Sequence, residues 1–201
     1  MTSYPLQLTG RRIILRDFRR EDAAAAHSVV GDETVTRWLS FDTRTHAQTS
    51  TMIASAIERA QQDPRTEFYL AVTLPNDDLI GFARLGLDGV RAAKLGYAIR
   101  ADQWGKGYAT DAARTLVNYG FEQLDLHRIS TAIGPDNAPS IALVQRLGFQ
   151  YEGRIRDHVY TNGAWRDSLL YSLLAPEWNH DAAVSDDIEN LVRPTATSAG
   201  R

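Results

Sequence analysis

Two glycines lie one residue apart between a strand-like apolar run and a helix-like run. Gly105 and Gly107 flank Lys106. Glycine lets the backbone turn tightly and approach a bound group closely. A helix that begins just after such a turn presents N–H groups without intrahelical partners, together with the positive end of its dipole. The residue types and their spacing therefore predict a site for a phosphate or diphosphate group.

Two common nucleotide motifs fit this segment poorly. A nucleoside triphosphate loop has a longer stretch between its glycines and a Lys-Ser/Thr pair after them, whereas only Lys106 separates these two glycines. A dinucleotide fingerprint has an acidic residue about 20 positions further on. His127 and Arg128 stand there instead. For the glycines taken alone, an ordinary strand-to-helix turn is the alternative.

A second block downstream narrows the interpretation. A short apolar strand at residues 129–133 leads into a polar turn and then a helical run at residues 141–147. With this block, the chain resembles the GNAT superfamily of acyl-CoA-dependent N-acyltransferases, within it the ribosomal-protein N-terminal (RimJ/RimL-type) acetyltransferases. The signatures that carry the resemblance are Gly96-Tyr97, Trp104-Gly105-Lys106-Gly107-Tyr108-Ala109-Thr110, Asn137-x-x-Ser140 and Leu147-Gly148-Phe149. They are specific in this order and spacing, and the resemblance spans residues 8–174.

The resemblance implies acetyl-CoA, or another acyl-CoA, as co-substrate. The diphosphate anchor would be the backbone of Trp104, Gly105, Lys106, Gly107, Tyr108, Ala109 and Thr110. Backbone N–H groups of Tyr97, Ala98 and Ile99 would polarise the thioester carbonyl. Asn137 would contact the pantetheine arm, and Ser140 would be the catalytic residue that donates a proton or hydrogen bond to the leaving sulfur. Both residues also suit a helix start with Asn137 as N-cap, and the two roles are compatible.

The general base is the main departure from the family pattern. The family often has a glutamate two residues before the Gly-Tyr pair, and this chain has Lys94 there. The alternatives are Glu67, Asp88, His158 and Tyr160. A missing base matters less for an α-amine with a pKa near 8 than for a lysine near 10.4. The departure therefore favours a peptide or protein N-terminus as acceptor.

The acceptor side has weaker signals. Residues 36–42 contain Trp38 and Phe41, and the family has its acceptor site near this segment. The alternative is that these aromatics only pack the helices. A small amine (antibiotic, polyamine or amino acid) is the alternative acceptor, and a non-catalytic acyl-CoA-binding module or another phosphate-ligand enzyme are the alternative functions. Because the chain has no cysteine, we expect direct transfer through a ternary complex.

Composition excludes several classes. Absence of cysteine excludes disulfides and thiolate-bound metal, and the histidines have no metal-ligand spacing, so no metal site is predicted. The net charge of −3 equals that of the segment after residue 175, which has five acids and two bases, so the rest is balanced and nucleic-acid binding is disfavoured. Arg11-Arg12 is interpreted as a solvated edge. No membrane-length apolar run or secretion signal is present, which predicts a cytoplasmic protein, and a homodimer is left open.

The chain alternates strand-like and helix-like segments without a repeat. Strands are predicted at residues 12–18, 68–74, 79–87, 92–99, 129–133, 150–159 and 165–174, and helices at 23–30, 46–61, 107–123 and 141–147. The turns at Asp88-Gly89 and Asn162-Gly163 favour hairpins. We therefore expect a GNAT-like α/β (α+β) fold, with a mixed, mostly antiparallel sheet of about seven strands flanked by about four helices. Residues 1–175 are predicted to form one domain and residues 176–201 an acidic, partly disordered tail.

Overall fold

The computed structural model describes residues 4–178, and within them eight strands form one sheet. The strands are β1 (Gln7–Thr9), β2 (Ile14–Asp17), β3 (Glu67–Thr73), β4 (Leu79–Leu87), β5 (Ala92–Ile99), β6 (Arg128–Ile133), β7 (Gln150–Thr161) and β8 (Ala164–Leu174). Their order in the sheet is β1-β2-β3-β4-β5-β6-β8-β7. The helices are α1 (Ala23–Val30), α2 (Glu33–Thr36), α3 (His46–Ala60), α4 (Tyr108–Glu122) and α5 (Ala138–Arg146), with short 3₁₀ turns between some elements.

The predicted mixed, mostly antiparallel α/β sheet is confirmed, and it is slightly larger than expected. The extra strand β1 has three residues and pairs with β2. The extra helix α2 is a single turn, capped by the side chain of Asp32, which accepts a hydrogen bond from the Thr34 backbone N–H at 2.8 Å. Elements this short have too few residues to show a periodic pattern, so the sequence did not reveal them.

Helices cover both faces of the sheet, so there is one hydrophobic core on each face. Because side chains alternate along a strand, successive residues pack into opposite cores. On β3, Phe68 and Leu70 belong to the core that contains the buried residues of α4 and α5. Tyr69 and Ala71 belong to the core formed with α1 and α3. The central strands are therefore apolar on both faces, and their sequences read as nearly continuous hydrophobic runs.

The sheet opens between β5 and β6, which form its only parallel pair within the described residues. The two strands pair only at Ala92↔Arg128, Ala93↔Ile129 and Lys94↔Ser130. Beyond this point β5 continues to pair with β4 and β6 continues to pair with β8. The facing edges at residues 95–99 and 131–133 thus diverge, and their backbone polar groups have no strand partner across the gap.

The end of the described chain packs on α4. Trp178 lies with its ring centroid 6.1 Å from that of Phe121, and its indole N–H donates to Oδ1 of Asn118 at 3.2 Å. Trp178, which lies within the predicted tail, is therefore packed against α4. The rest of the predicted acidic tail, residues 179–201, lies outside the described residues.

A polar triad links the three strands at the far end of the sheet. Glu152 on β7 forms an ion pair with Arg128 on β6 and accepts a hydrogen bond from the Ser172 hydroxyl on β8 at 2.7 Å. These two partners hold the pKa of Glu152 at about 2, below its ordinary value of 4.5, and Arg128 has the larger effect. A depressed carboxyl pKa stabilises the fold above the unfolded value, and the stabilisation is lost as the pH falls toward the folded value.

We expect Glu152→Gln to make the free energy of unfolding less sensitive to pH between about pH 6 and pH 3. The contribution of Glu152 to the pH dependence of the wild-type free energy of unfolding should be about 1 kcal/mol or less, because its ion pair with Arg128 is partly exposed to solvent. Urea unfolding at the two pH values measures it, with Glu58→Gln on the exposed side of α3 as control. An unaltered pH dependence in Glu152→Gln would show that the triad contributes nothing.

Candidate active site

The glycine segment forms a left-handed turn directly before α4. Gly105 and Gly107 have φ angles of 74° and 79°, which residues with a Cβ rarely adopt. Gly107 is the N-cap of α4, and its carbonyl accepts from the Asp111 amide at 3.0 Å. The amides of residues 108–110 therefore precede the hydrogen-bond ladder of the helix, where an anion can accept from them.

Arg12 braces this turn from the other end of the chain. Its guanidinium donates to the carbonyl of Lys106 at 2.7 Å and lies 5.2 Å from the ring centroid of Tyr108. Its backbone N–H donates to Oδ2 of buried Asp111 at 2.8 Å. Arg12 is exposed, in agreement with the interpretation of Arg11-Arg12 as a solvated edge, and it also holds the glycine turn. No local motif signals a contact across 94 residues.

Trp104 fixes the turn to the end of β5. Its indole N–H donates to the carbonyl of Ile99 at 2.7 Å, while 45% of the residue stays exposed. The side chain of Lys106 turns to Gln103, with Nζ 2.9 Å from Oε1. The turn is thus held at both sides before any ligand binds, which reduces the ordering that binding requires.

A cleft of about 1220 Å³ runs from this turn through the gap between β5 and β6 to the segment before α3. Of the residues predicted from the sequence, the cleft is lined by Tyr97, Ala98, Ile99, Trp104, Gly105, Gly107, Tyr108, Ala109, Thr110, Asn137, Ser140, Trp38 and Phe41. Lys106 is the one predicted cofactor residue outside this lining. Residues from two ends of the chain and from its middle therefore meet in one cavity.

Asn137, Ser140 and Tyr97 all line the cleft. Asn137 caps α5 as predicted, since its Oδ1 accepts from the Ser140 backbone N–H at 3.3 Å. The Tyr97 hydroxyl is buried and has no hydrogen-bond partner of good geometry among the described residues. Burial raises the pKa of Tyr97 to about 12, and the neighbouring Ser140 hydroxyl opposes the shift. The site thus has two adjacent hydroxyls, where the sequence indicated one.

Three of the four candidate general bases are already paired with or packed against other side chains. Glu67 forms ion pairs with both Arg84 and Arg59. Asp88 forms an ion pair with Lys94 at 2.8 Å. The ring of Tyr160 packs on Trp165 with centroids 5.3 Å apart, and Tyr160 is not part of the cleft lining.

The fourth candidate, His158, lies on a β-bulge. Ile155 pairs with Ser168 and Val159 pairs with Arg166, so three residues of β7 oppose one of β8. Bulges change the direction in which a side chain points and are frequent beside active sites. Here the imidazole lines the cleft, and its Nδ1 lies 3.0 Å from the hydroxyl of buried Ser168.

The segment with the two predicted acceptor-site aromatics is fastened to β8. Arg166 donates from its guanidinium to the carbonyl of Arg37 at 2.6 Å and to that of Leu39. The amide of Asn162, in the turn between β7 and β8, donates to Oδ1 of Asp42 at 2.8 Å. Trp38 and Phe41 both line the cleft, and Phe41 also packs against the core under α1 and α3. Wall and packing roles therefore coincide for Phe41.

The described residues, 4–178, contain neither a cluster of metal ligands nor a membrane-spanning helix. No group of three or more His, Asp or Glu side chains there is arranged to hold a metal ion. No helix there has both the length and the apolar character needed to cross a membrane.

The splayed sheet beside a helix that begins with a glycine turn agrees with the fold implied by the resemblance to acyl-CoA-dependent acyltransferases. Residues 12–150 match the acetyltransferase (GNAT) domain family, and the chain belongs to this family. It is therefore an N-acetyltransferase, and the resemblance predicted from the signatures is confirmed. Acetyltransferases of this family use acetyl-CoA as co-substrate.

Several relatives are similar over much of their length. An uncharacterized N-acetyltransferase, p20, of Bacillus licheniformis is 31% identical over 83% of this chain and 95% of its own. The ribosomal protein uS5-alanine N-acetyltransferase of Escherichia coli is 33% identical over 55% of this chain and 59% of its own. The solved structure of Mycobacterium smegmatis RimJ in complex with CoA-disulfide has a TM-score of 0.81 and 24% identity, covering 93% of this chain and 96% of that one, and shows the shared fold.

Proposed function

We propose that this N-acetyltransferase moves an acetyl group from acetyl-CoA directly to the α-amino group of a peptide or protein N-terminus. The observation that carries the proposal is the single cleft that joins the glycine turn, the gap between β5 and β6, and the acceptor segment. Both substrates can be held in it at once, as direct transfer requires. The similarity to a ribosomal protein uS5-alanine N-acetyltransferase supports a protein acceptor.

The chain's residues fit acetyl-CoA at two points. The amides of residues 108–110 and the two left-handed glycines suit the diphosphate. The unpaired backbone edge of β5 at residues 95–99 suits the amides of the pantetheine arm, as an added strand would. When bound, the thioester supplies an activated acyl group.

Ser140 and Tyr97 provide the leaving sulfur with a proton. As the amine nitrogen bonds to the acyl carbon and the carbon–sulfur bond breaks, the Ser140 hydroxyl donates to the departing thiolate. The neutral Tyr97 hydroxyl, whose pKa of about 12 keeps it protonated at pH 7, replaces that proton or shares the hydrogen bond. The attacking amine nitrogen must also lose one proton to become the amide nitrogen of the product.

His158 is assigned the role of accepting that proton. Its Nδ1 contact with Ser168 fixes the ring, and the imidazole lines the cleft. Histidine is the side chain that most often serves as a general base, which suits this role. The role does not require the glutamate that Lys94 replaces.

We expect His158→Gln to lower the turnover number about 10-fold or more at pH 7, with a smaller loss near pH 9, where an α-amine is neutral unaided. Initial rates from pH 6 to pH 9.5 measure this. Ser168→Ala should give a smaller loss with the same pH trend, because it only frees the ring. An equal loss at every pH would rule out proton transfer as the role of His158.

The acceptor class is tested by thiol release from acetyl-CoA with matched amines. We expect a peptide with a free N-terminus to be acetylated, and a peptide with a blocked N-terminus and an internal lysine to react at least about 10-fold more slowly, since its amine is far less often neutral. A polyamine is the small-molecule arm. Preferred reaction of the blocked peptide or the polyamine would refute the N-terminal assignment.

A further inference from the structure

Tyr69 is the centre of a charged cluster on the face of the sheet covered by α1 and α3. The residue is 8% exposed, and burial raises its pKa. Four charged groups act on its hydroxyl: Arg44, Arg84 and Arg59 oppose the shift, and Glu67 reinforces it. Three guanidinium groups and one carboxylate leave an excess of two positive charges, and all five side chains line the cleft.

The carboxylate of Glu67 is already counted in this excess. It forms ion pairs with both Arg84 and Arg59, so its single negative charge offsets only one of these two positive charges. Arg44 enters from the segment before α3, and its guanidinium lies 4.6 Å from the ring centroid of Phe41. Its Nε is buried and has no hydrogen-bond acceptor among the described residues. A buried N–H without an acceptor is costly, and an anionic ligand would satisfy it.

The cluster is separate from the place assigned to the cofactor diphosphate. Tyr69 pairs across the sheet with Arg84, and Arg84 pairs with Gly96 on β5, so the row ends at the gap between β5 and β6. Tyr69 belongs to the core with α1 and α3, whereas the buried residues of α4 belong to the opposite core. Since the glycine turn begins α4, an anion at Tyr69 approaches from the acceptor side.

We propose that the acceptor carries a carboxylate close to its reacting amine, and that Arg44 and Arg84 bind this carboxylate. The inference rests on the proposed function and narrows it to N-termini with an acidic residue among the first three. Guanidinium groups bind carboxylates through charge-assisted hydrogen bonds in a fixed geometry. A cationic acceptor in the same place would meet uncompensated like charge, which gives the site its selectivity.

The test compares three peptides that begin Ser-Glu-Glu, Ser-Gln-Gln and Ser-Lys-Lys and are otherwise identical. We expect kcat/KM to be at least about 10-fold higher for the glutamate peptide than for the glutamine peptide, and lowest for the lysine peptide. Arg44→Gln should reduce the ratio of the glutamate to the glutamine peptide about 10-fold. The matched control is Arg91→Gln, which removes an arginine paired with Asp125 at 2.6 Å outside the cleft and should keep the ratio.

Two further arms separate the possible failures. Free serine, with its own α-carboxylate, tests whether a single amino acid is the source of the anion; faster reaction of serine than of the acidic peptide would move the assignment from peptides to amino acids while keeping the carboxylate. Calorimetry with the N-acetylated product peptides in the presence of CoA reports recognition without turnover. If no peptide is acetylated but the acidic product binds more tightly, the proposed acceptor reaction fails and the carboxylate site stands. Equal binding or equal kcat/KM for the three peptides would overturn the inference.

Discussion

Replacing Ser140 with alanine is expected to lower the turnover number about 10- to 100-fold, within or below the usual range for one proton-transfer group. The apparent KM for acetyl-CoA should change much less, because the hydroxyl acts mainly when the sulfur departs. The fold should be intact, since Asn137 accepts from the backbone N–H of Ser140 and alanine keeps that group. Steady-state kinetics with both substrates measure the effect.

Two variants make this result interpretable. Ser130→Ala removes a different hydroxyl from the same cleft and should change turnover by less than about 2-fold. Tyr97→Phe should also lower turnover, and the double variant Ser140→Ala/Tyr97→Phe should lose less than the product of the single losses, because the hydroxyls are adjacent. Unchanged turnover in Ser140→Ala would reduce Ser140 to a residue of the helix start.

Replacing Gly107 with proline is expected to weaken binding of CoA about 100-fold or more. Proline fixes φ near −65°, whereas Gly107 has a φ of 79° at the N-cap of α4. The change therefore distorts the turn and misdirects the amides that follow it, which are assigned to the diphosphate. Isothermal titration calorimetry measures the affinity, and a thermal melt confirms that the variant is folded.

Gly89→Pro is the matched control for backbone strain. Gly89 has a φ of 83° in the turn between β4 and β5, away from the glycine turn before α4. Proline at this position conflicts with the positive φ in the same way. Gly89→Pro should therefore lower stability but leave the affinity for CoA within about 3-fold of the wild type. An unchanged affinity in Gly107→Pro would refute the assignment of this turn to the diphosphate.

Much of the fold was predictable because its signals are local. The turn at Asn162-Gly163 has positive φ at both residues, as an Asn-Gly hairpin requires. Asn137 caps α5, and Thr45 caps α3 through the Gln48 amide. In each case the residue type that the backbone needs stands next to an element with clear periodicity.

The parts that could not be predicted depend on contacts between distant segments. The divergence of β5 and β6 after Lys94 is a property of two strands and appears in neither sequence alone. The bulge that directs His158 depends on how β7 pairs with β8. The position of the Tyr97 hydroxyl could not be predicted, because the sequence does not show which face of β5 lies beside α5. Arg44 and Arg84 approach Tyr69 from different elements, so their spacing in the sequence carries no signal.

Two-substrate initial-rate kinetics test the central claim, direct transfer inside one cleft, most directly. Rates are measured with acetyl-CoA varied at several fixed concentrations of a peptide with a free N-terminus, and thiol release and acetylated peptide are both quantified. We predict intersecting double-reciprocal lines and one acetylated peptide per thiol, because both substrates occupy the cleft before the bond to sulfur breaks. Parallel lines, which mark an acyl-enzyme intermediate, would contradict the account.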